Sequence, residues 1–267
     1  MKRNFVALDG SDFEVNVDEP GDFDSVFFLS VHKAGSTLLQ RMVSDICRSG
    51  NRALIELEPD LFRHGVVLGD CPLEAAMLLE MRGYAFGGFR SPWLLPFVRQ
   101  YRENQKLLLV RDPRDIAVSY YFSMAKSHAL PKQGTAREAV LALRETALAE
   151  ELSEYVLKGK VNPVIANLTT FVKHAELYPN MDIVRYEDII FDKESLFDKI
   201  CSMCALQLPP EERARIVKKH DIRPTEENPG AHVRQVTPGN YKKHLSPEAE
   251  GYLTERFHPV MKTLGYI

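Results

Sequence analysis

Short apolar runs alternate along the chain with longer segments of helical period. Residues 25–31 (SVFFLSV) form a Val- and Phe-rich run that predicts a buried strand, and Leu38, Leu39, Met42, Val43 and Ile46 follow at helical spacing. Between them lies His32-Lys33-Ala34-Gly35-Ser36-Thr37. A strand, a Gly-containing loop and a helix in that order open a βαβ unit. Further strands are predicted over 53–57, 84–89, 106–110 and 181–186, the KLLLV run at 106–110 being the plainest. Helices are predicted over 72–82, 113–126, 135–157, 163–177, 194–206 and 210–219. Within 135–157, Leu141, Leu148, Leu152 and Tyr155 share a face. A closing helix starts at Ser246-Pro247-Glu248, with Leu253, Phe257, Val260, Met261 and Leu264 on one face and Gly265 as its stop. Strands alternating with helices imply an α/β fold in three layers, a central, mainly parallel sheet with helices on both faces.

The first 24 residues are acidic, hold Pro20-Gly21 and read as an N-terminal arm or short hairpin; 25–267 reads as a single domain. Residues 221–240 carry three Pro and two Gly and read as a functional loop. Composition adds exclusions. Apolar residues make up 45%, charged residues 27%, and Gly and Pro total 31, which is globular and neither disordered nor collagen-like. A net charge of -3 argues against a nucleic-acid partner, which needs a broad basic surface, but leaves room for a local basic pocket. No apolar run is long enough for a membrane span, and residues 1–18 lack the apolar centre of a signal peptide. Four cysteines are too few for a disulfide framework, so a reducing compartment, the cytoplasm, is expected.

The loop after the first strand carries the candidate chemistry. A helix N-terminus offers backbone N–H donors and partial positive charge, so Gly35, Ser36, Thr37 and Lys33 there suit a phosphate. The NTPase loop G-x-x-x-x-G-K-[ST] fits poorly, because Lys33 precedes Gly35 and no Gly lies five residues before it. A second element, 107–121 (LLLVRDPRDIAVSYY), puts Arg111 at a strand's carboxyl end and Ser119 about two turns into the next helix. Ligands in open α/β sheets bind at such ends.

Together the two elements resemble the sulfotransferases that use 3′-phosphoadenosine 5′-phosphosulfate (PAPS), with their K-[ST]-G-[ST]-T loop and R-[DN]-P-x-D-x-[AV]-x-S-x-Y segment. Arg185-Tyr186-Glu187-Asp188 is similar to that family's R-Y-E-D strand end, and 234–245 (RQVTPGNYKKHL) to its late R-K-G-x-x-G-D-W-K loop, with Gln235 and Val236 replacing Lys and Gly. The resemblance implies the P-loop-NTPase-like sulfotransferase fold, PAPS as donor, its desulfated product PAP, and no metal. It implies that Lys33 stabilises charge on the leaving phosphate, that Ala34, Gly35, Ser36 and Thr37 cradle the 5′-phosphate, that Arg111 and Ser119 hold the 3′-phosphate with Arg234 over it, and that Tyr186 lies near the adenine.

The proton acceptor departs from the family pattern. Many members place a His 22 residues before the 3′-phosphate Arg; here that position is Phe89, ahead of Arg90-Ser91-Pro92. Carbohydrate-modifying members use a Glu a little over twenty residues after the loop Lys, and Glu56 and Glu58 stand 23 and 25 residues after Lys33. Alternation along the strand predicted at 53–57 points both to one side. His32 and His64 read as structural, and Cys201-Ser202-Met203-Cys204 as core thiols rather than half a zinc site. Trp93, Phe89, Phe86 and Tyr84 form an aromatic stretch expected near the acceptor pocket. The reaction implied is in-line sulfuryl transfer to a hydroxyl, with an amine as the second acceptor class; a small-molecule P-loop kinase and a non-catalytic nucleotide-binding module are the alternatives. The acceptor itself, whether a small molecule, glycan, lipid or polyketide, is not encoded in any motif.

Overall fold

The computed structural model describes residues 1–222 and 236–267. The chain opens with an antiparallel hairpin of β1 (Lys2–Val6) and β2 (Asp12–Asn16), in register from Lys2–Asn16 to Val6–Asp12. Its inward residues Phe13 and Val15 are buried, and β2 lies against the helix Leu57–His64. Five parallel strands follow: β3 (Val26–Ser30), β4 (Leu54–Ile55), β5 (Ala85–Phe89), β6 (Gln105–Val110) and β7 (Met181–Arg185). They are ordered β4-β5-β3-β6-β7. Every residue of β3 is buried, as expected of a parallel strand covered on both faces.

The sheet separates two apolar cores. On one face Phe27, Leu29, Phe86, Leu108 and Val110 meet the hairpin and the helices Pro113–Phe122, Asn162–Leu177 and Pro247–Arg256. On the other, Val26, Phe28, Leu107 and Leu109 meet Leu39, Met42, Val43 and Ile46 of the helix Ser36–Ser49, with Leu196 and Ile200 of the helix Lys193–Met203 behind. This is the three-layer α/β/α arrangement expected from the sequence. The sequence order reverses at β3, whose neighbours β5 and β6 lie on opposite sides, so the crevice at its carboxyl end is the topological switch point. Pairing of Ser30 with Leu109 and of Val110 with Arg185 brings the ends of β3, β6 and β7 side by side.

Several predicted elements are shorter or interrupted. The strand expected over 53–57 stops at Ile55, because Leu57-Glu58-Pro59-Asp60 starts a helix. Pro costs nothing in a first turn, where no intrahelical N–H bond is made, and acidic residues favour that end. The helix expected over 135–157 divides into Thr135–Leu148 and Leu152–Leu157. The Tyr121 hydroxyl donates to the Glu150 carbonyl at the break. Leu141 and Leu148 are exposed, and Ala136, Val140 and Ala147 face the core instead. The stretch 72–82 holds only Leu73–Ala76 and a 3₁₀ turn at Met77–Glu80. The helix from Pro113 ends at Phe122 and passes into a π turn, Ser123–Ser127. The closing helix breaks at Phe257 and restarts as His258–Thr263, since Pro259 cannot donate and crowds the preceding turn. No helix among the described residues is long and apolar enough to cross a membrane.

Phe27 is fully buried and stacks on Phe86 at 4.7 Å, with Tyr101 edge-on at 5.5 Å. Phe27→Ala is expected to cost about 3–5 kcal/mol, read as a lowered urea midpoint with an unchanged slope.

Candidate active site

The turn between β3 and the helix Ser36–Ser49 is shaped by two residues with left-handed backbone, Lys33 at φ 69° and Gly35 at φ 90°. A Cβ on Gly35 would lie 2.8 Å from the Tyr186 ring and 2.9 Å from Leu109 Cδ2, so only glycine lets the loop rest on β6 and on residue 186. Ala34 is buried beneath it. The helix that follows has no acidic residue in its first turn, which leaves its positive end at Ser36 and Thr37 uncompensated by any carboxylate of its own.

Arg111 reaches this loop from the end of β6. Its Nη1 donates to the Lys33 carbonyl at 3.3 Å, its Nη2 lies 3.5 Å from Asp115 Oδ2, and its guanidinium sits 4.5 Å from the Tyr186 ring centroid. The side chain is only 7% exposed, and Nε is buried with no hydrogen-bond partner among the described residues. A buried, unpartnered guanidinium N–H is costly, so the donor set suits an anion. Ser119 stands half-buried on the helix Pro113–Phe122. Asp112 caps that helix through the Arg114 N–H and pairs with the Arg114 side chain at 2.7 Å. Burial pushes the Tyr186 hydroxyl up to about 12 against the pull of Arg111, and it donates to the Val236 carbonyl at 3.2 Å. Lys33, Ala34, Gly35, Arg111 and Tyr186 are thus brought together, with Ser36 and Thr37 on the same helix start. Arg234 lies outside the described residues.

Glu56 and Glu58 do not share a strand. Glu56 precedes the helix Leu57–His64 as its N-cap residue, and Glu58 sits in the first turn. The alternation argument therefore fails, and the two carboxyls have different surroundings. Glu58 Oε2 accepts the N–H groups of Arg90 at 2.9 Å and Ser91 at 3.3 Å, which fixes the chain where it leaves β5. Glu56 shares the Gln40 side chain with Arg90, whose Nη2 donates to Gln40 Oε1 at 2.8 Å. Glu56 Oε1 is buried without a partner among the described residues. Burial raises both carboxyls above the usual range; Arg63 and Arg90 oppose it at Glu56, and Arg90 at Glu58.

His32 belongs to the same region. Its ring lies 6.0 Å from that of His128 and 6.5 Å from that of Tyr120. Burial, then the charges of Arg90, His128 and Lys33, hold it well below the ordinary imidazole value, hence neutral at pH 7. The π turn presents His128, whose N–H donates to the Ser123 carbonyl at 2.7 Å. Such turns recur at functional sites. Gln40, Arg90 and His128 were not singled out in the sequence, and Asp115 stood in the R-[DN]-P-x-D segment with no role of its own. Arg90 had a signal, a cation directly after a strand; His128 had none. His64 contacts the Asp60 carbonyl at 2.8 Å and belongs to its helix end. Tyr84, Phe86 and Phe89 are core, whereas Trp93 is half exposed. Cys47, Cys201 and Cys204 are buried free thiols, and no cluster of three metal-ligating side chains occurs among the described residues.

Comparison with known proteins bears on the same segments. The family model described as a sulfotransferase domain matches residues 93–265. A 3-alpha-hydroxysteroid sulfotransferase of Cavia porcellus is 26% identical over 161 residues, covering 54% of this chain and 51% of that protein. The chain therefore spans about half the length of the curated relative it matches. A mouse sulfotransferase complexed with PAP superposes with a TM-score of 0.56 at 16% identity, covering 90% of this chain and 84% of that one. A retinol dehydratase in complex with androsterone and inactive cofactor PAP gives a TM-score of 0.53 at 17% identity, over 89% and 80% of the two chains. Likeness at this identity establishes the fold. The matched family segment includes Arg111, Ser119 and Tyr186 but begins after the 33–37 loop, which rests on its own geometry.

A carboxyl whose value is raised by folding favours the protonated form in the native state, so its contribution is full below about pH 4 and is lost as the pH rises through the raised value. Glu56→Gln, neutral at every pH, is expected to be at least as stable as wild type at pH 7.5, with the advantage vanishing towards pH 4. Thermal melts across that range check this; an advantage that grows towards pH 4 would contradict it.

Proposed function

The chain belongs to the sulfotransferase-domain family, and on that premise we propose that it transfers a sulfuryl group from PAPS to the hydroxyl of a small organic acceptor, with an amine as the second acceptor class. The observation that carries this reading is the meeting of Arg111 with the Lys33 loop across the ends of β6 and β3, with Arg111 Nε buried and unpartnered among the described residues. A cation at the Lys33 carbonyl, next to a helix N-terminus that follows a Lys, supports a ligand with phosphates at both ends of a nucleoside. The PAP bound in the mouse sulfotransferase and in the retinol dehydratase supports the donor's identity, and the androsterone of the latter supports a small hydroxyl compound as acceptor class.

When bound, PAPS supplies a sulfuryl group on a phosphate leaving group. Gly35, Ser36 and Thr37 hold the 5′-phosphate through the positive helix end. Lys33, set by its left-handed backbone beside them, adds a full charge where the departing phosphate gains negative charge, and such preorganised charge is the main lever on a transfer of this kind. Arg111 and Ser119 hold the 3′-phosphate, and the Tyr186 ring, already stacked on Arg111, lies near the adenine. On the acceptor side Glu56 takes the hydroxyl proton: its Oε1 has no partner among the described residues, whereas Glu58 is committed to the backbone at Arg90 and Ser91. The raised value of Glu56 makes it a stronger base than an exposed carboxylate.

Arg111→Ala is expected to weaken PAP binding about ten- to a hundred-fold, while a nucleotide lacking the 3′-phosphate barely responds. Titration calorimetry separates the two, and equal losses would place Arg111 elsewhere. Glu56→Gln is expected to slow transfer by about 10²- to 10⁴-fold with PAP affinity near wild type. The acidic limb of the pH–rate profile should disappear with it, since wild-type activity falls as the pH drops through the Glu56 value. Lys33→Ala should slow transfer at every pH. Wild-type turnover by Glu56→Gln would remove it from the mechanism.

A further inference from the structure

We propose that Asp115 is a positioning residue that couples the turn at 239–241 to the orientation of Arg111, and thereby sets the preference for a 3′-phosphorylated nucleotide; this rests on the donor site proposed above. The Asp115 side chain is wholly buried. A buried carboxylate persists only where its charge and lone pairs are matched. Oδ2 accepts the Gly239 N–H at 2.8 Å and Oδ1 the Tyr241 N–H at 2.9 Å. The same Oδ2 lies 3.5 Å from Arg111 Nη2.

Each partner constrains the next. Gly239 has φ 79°, a left-handed backbone that glycine adopts without strain. Among the described residues, the other polar and ring contacts of the Arg111 side chain are one long bond to the Lys33 carbonyl and the face of Tyr186. The carbonyl restrains Nη1 alone through one long bond, and the carboxylate beside Nη2 adds an electrostatic restraint at the other end of the guanidinium. The turn is itself tied down twice more: Tyr186 donates to the Val236 carbonyl, and Arg114, paired with Asp112, lies 4.2 Å from the Tyr241 ring. Asp115 also sits in the first turn of the helix Pro113–Phe122, where negative charge is favoured. Its charge is thus matched by the two amides, the helix end and the guanidinium.

The test is the ratio of dissociation constants for adenosine 5′-monophosphate and PAP, by calorimetry on the full chain. Asp115→Asn keeps the volume but loses the charge opposite Arg111 and one acceptor oxygen. It is expected to weaken PAP about ten-fold and adenosine 5′-monophosphate by less than about two-fold, so the ratio falls. In an Arg111→Ala background the same substitution should leave the ratio unchanged, because Asp115 acts through Arg111. Should Asp115→Asn fail to fold, Asp115→Glu keeps the charge, displaced by one methylene, and is expected to lose part of the preference. A loss common to both nucleotides, or tighter PAP binding on removal of the carboxylate, would overturn the inference. Wild-type protein that binds both nucleotides equally would instead overturn the donor-site reading and this inference with it.

Discussion

The reach of Arg111 from the end of β6 to the carbonyl of Lys33 depends on two parallel strands ending side by side, and the candidate site is built around that closure. Parallel pairing aligns carboxyl ends, and the reversal of strand order at β3 keeps helices out of the crevice between them. The loop can lie this close only because Gly35 has no side chain to strike Tyr186 and Leu109. A guanidinium, a carbonyl and a helix end from segments 78 residues apart then meet in a place that the two apolar cores pack from both faces.

Around that contact the charges are arranged in layers. Arg111 is held by Asp115, and Arg114 by Asp112; Glu187 accepts the Asp112 N–H at 3.0 Å and the Tyr266 hydroxyl at 2.8 Å. Asp115 and Glu187 thus tie the β6 end to the chain's last segments, and Arg114, held by Asp112, reaches Glu250 and the Tyr266 carbonyl. Stripped of one partner, a buried pair of this kind leaves an uncompensated charge, so the C-terminal turns and the candidate cofactor face form one electrostatic unit. The acceptor side is separate. There Gln40 and Arg90 link the helix Ser36–Ser49 to the end of β5, and the carboxyls of Glu56 and Glu58 are raised by burial rather than by contact with the Arg111 group. The two regions thus differ in electrostatic character: cations paired with carboxylates at the β6 end, and two buried carboxyls of raised value beyond β4.

Strand positions, the parallel sheet, the glycine turn at 33–37 and the strand-to-helix passage at 111–119 were legible in the chain, because each depends on local chemistry: apolar runs long enough for one strand, a Gly where the backbone turns left-handed, Asp-Pro at a helix start. The direction of Glu56 and Glu58 was not. Alternation along a strand applies only while the strand lasts, and β4 ends one residue before Glu56 because a helix start competes for the same residues. The division of the helix expected over 135–157 was likewise hidden, since the group that meets the Glu150 carbonyl is Tyr121, on another helix. Tertiary structure alone decided which carboxyl keeps an oxygen unpartnered among the described residues, that His128 faces His32, and that Asp115 joins Arg111 to the 239–241 turn. These are contacts between residues far apart in sequence, and a pairing of that kind leaves no period or spacing along the chain from which it could be read.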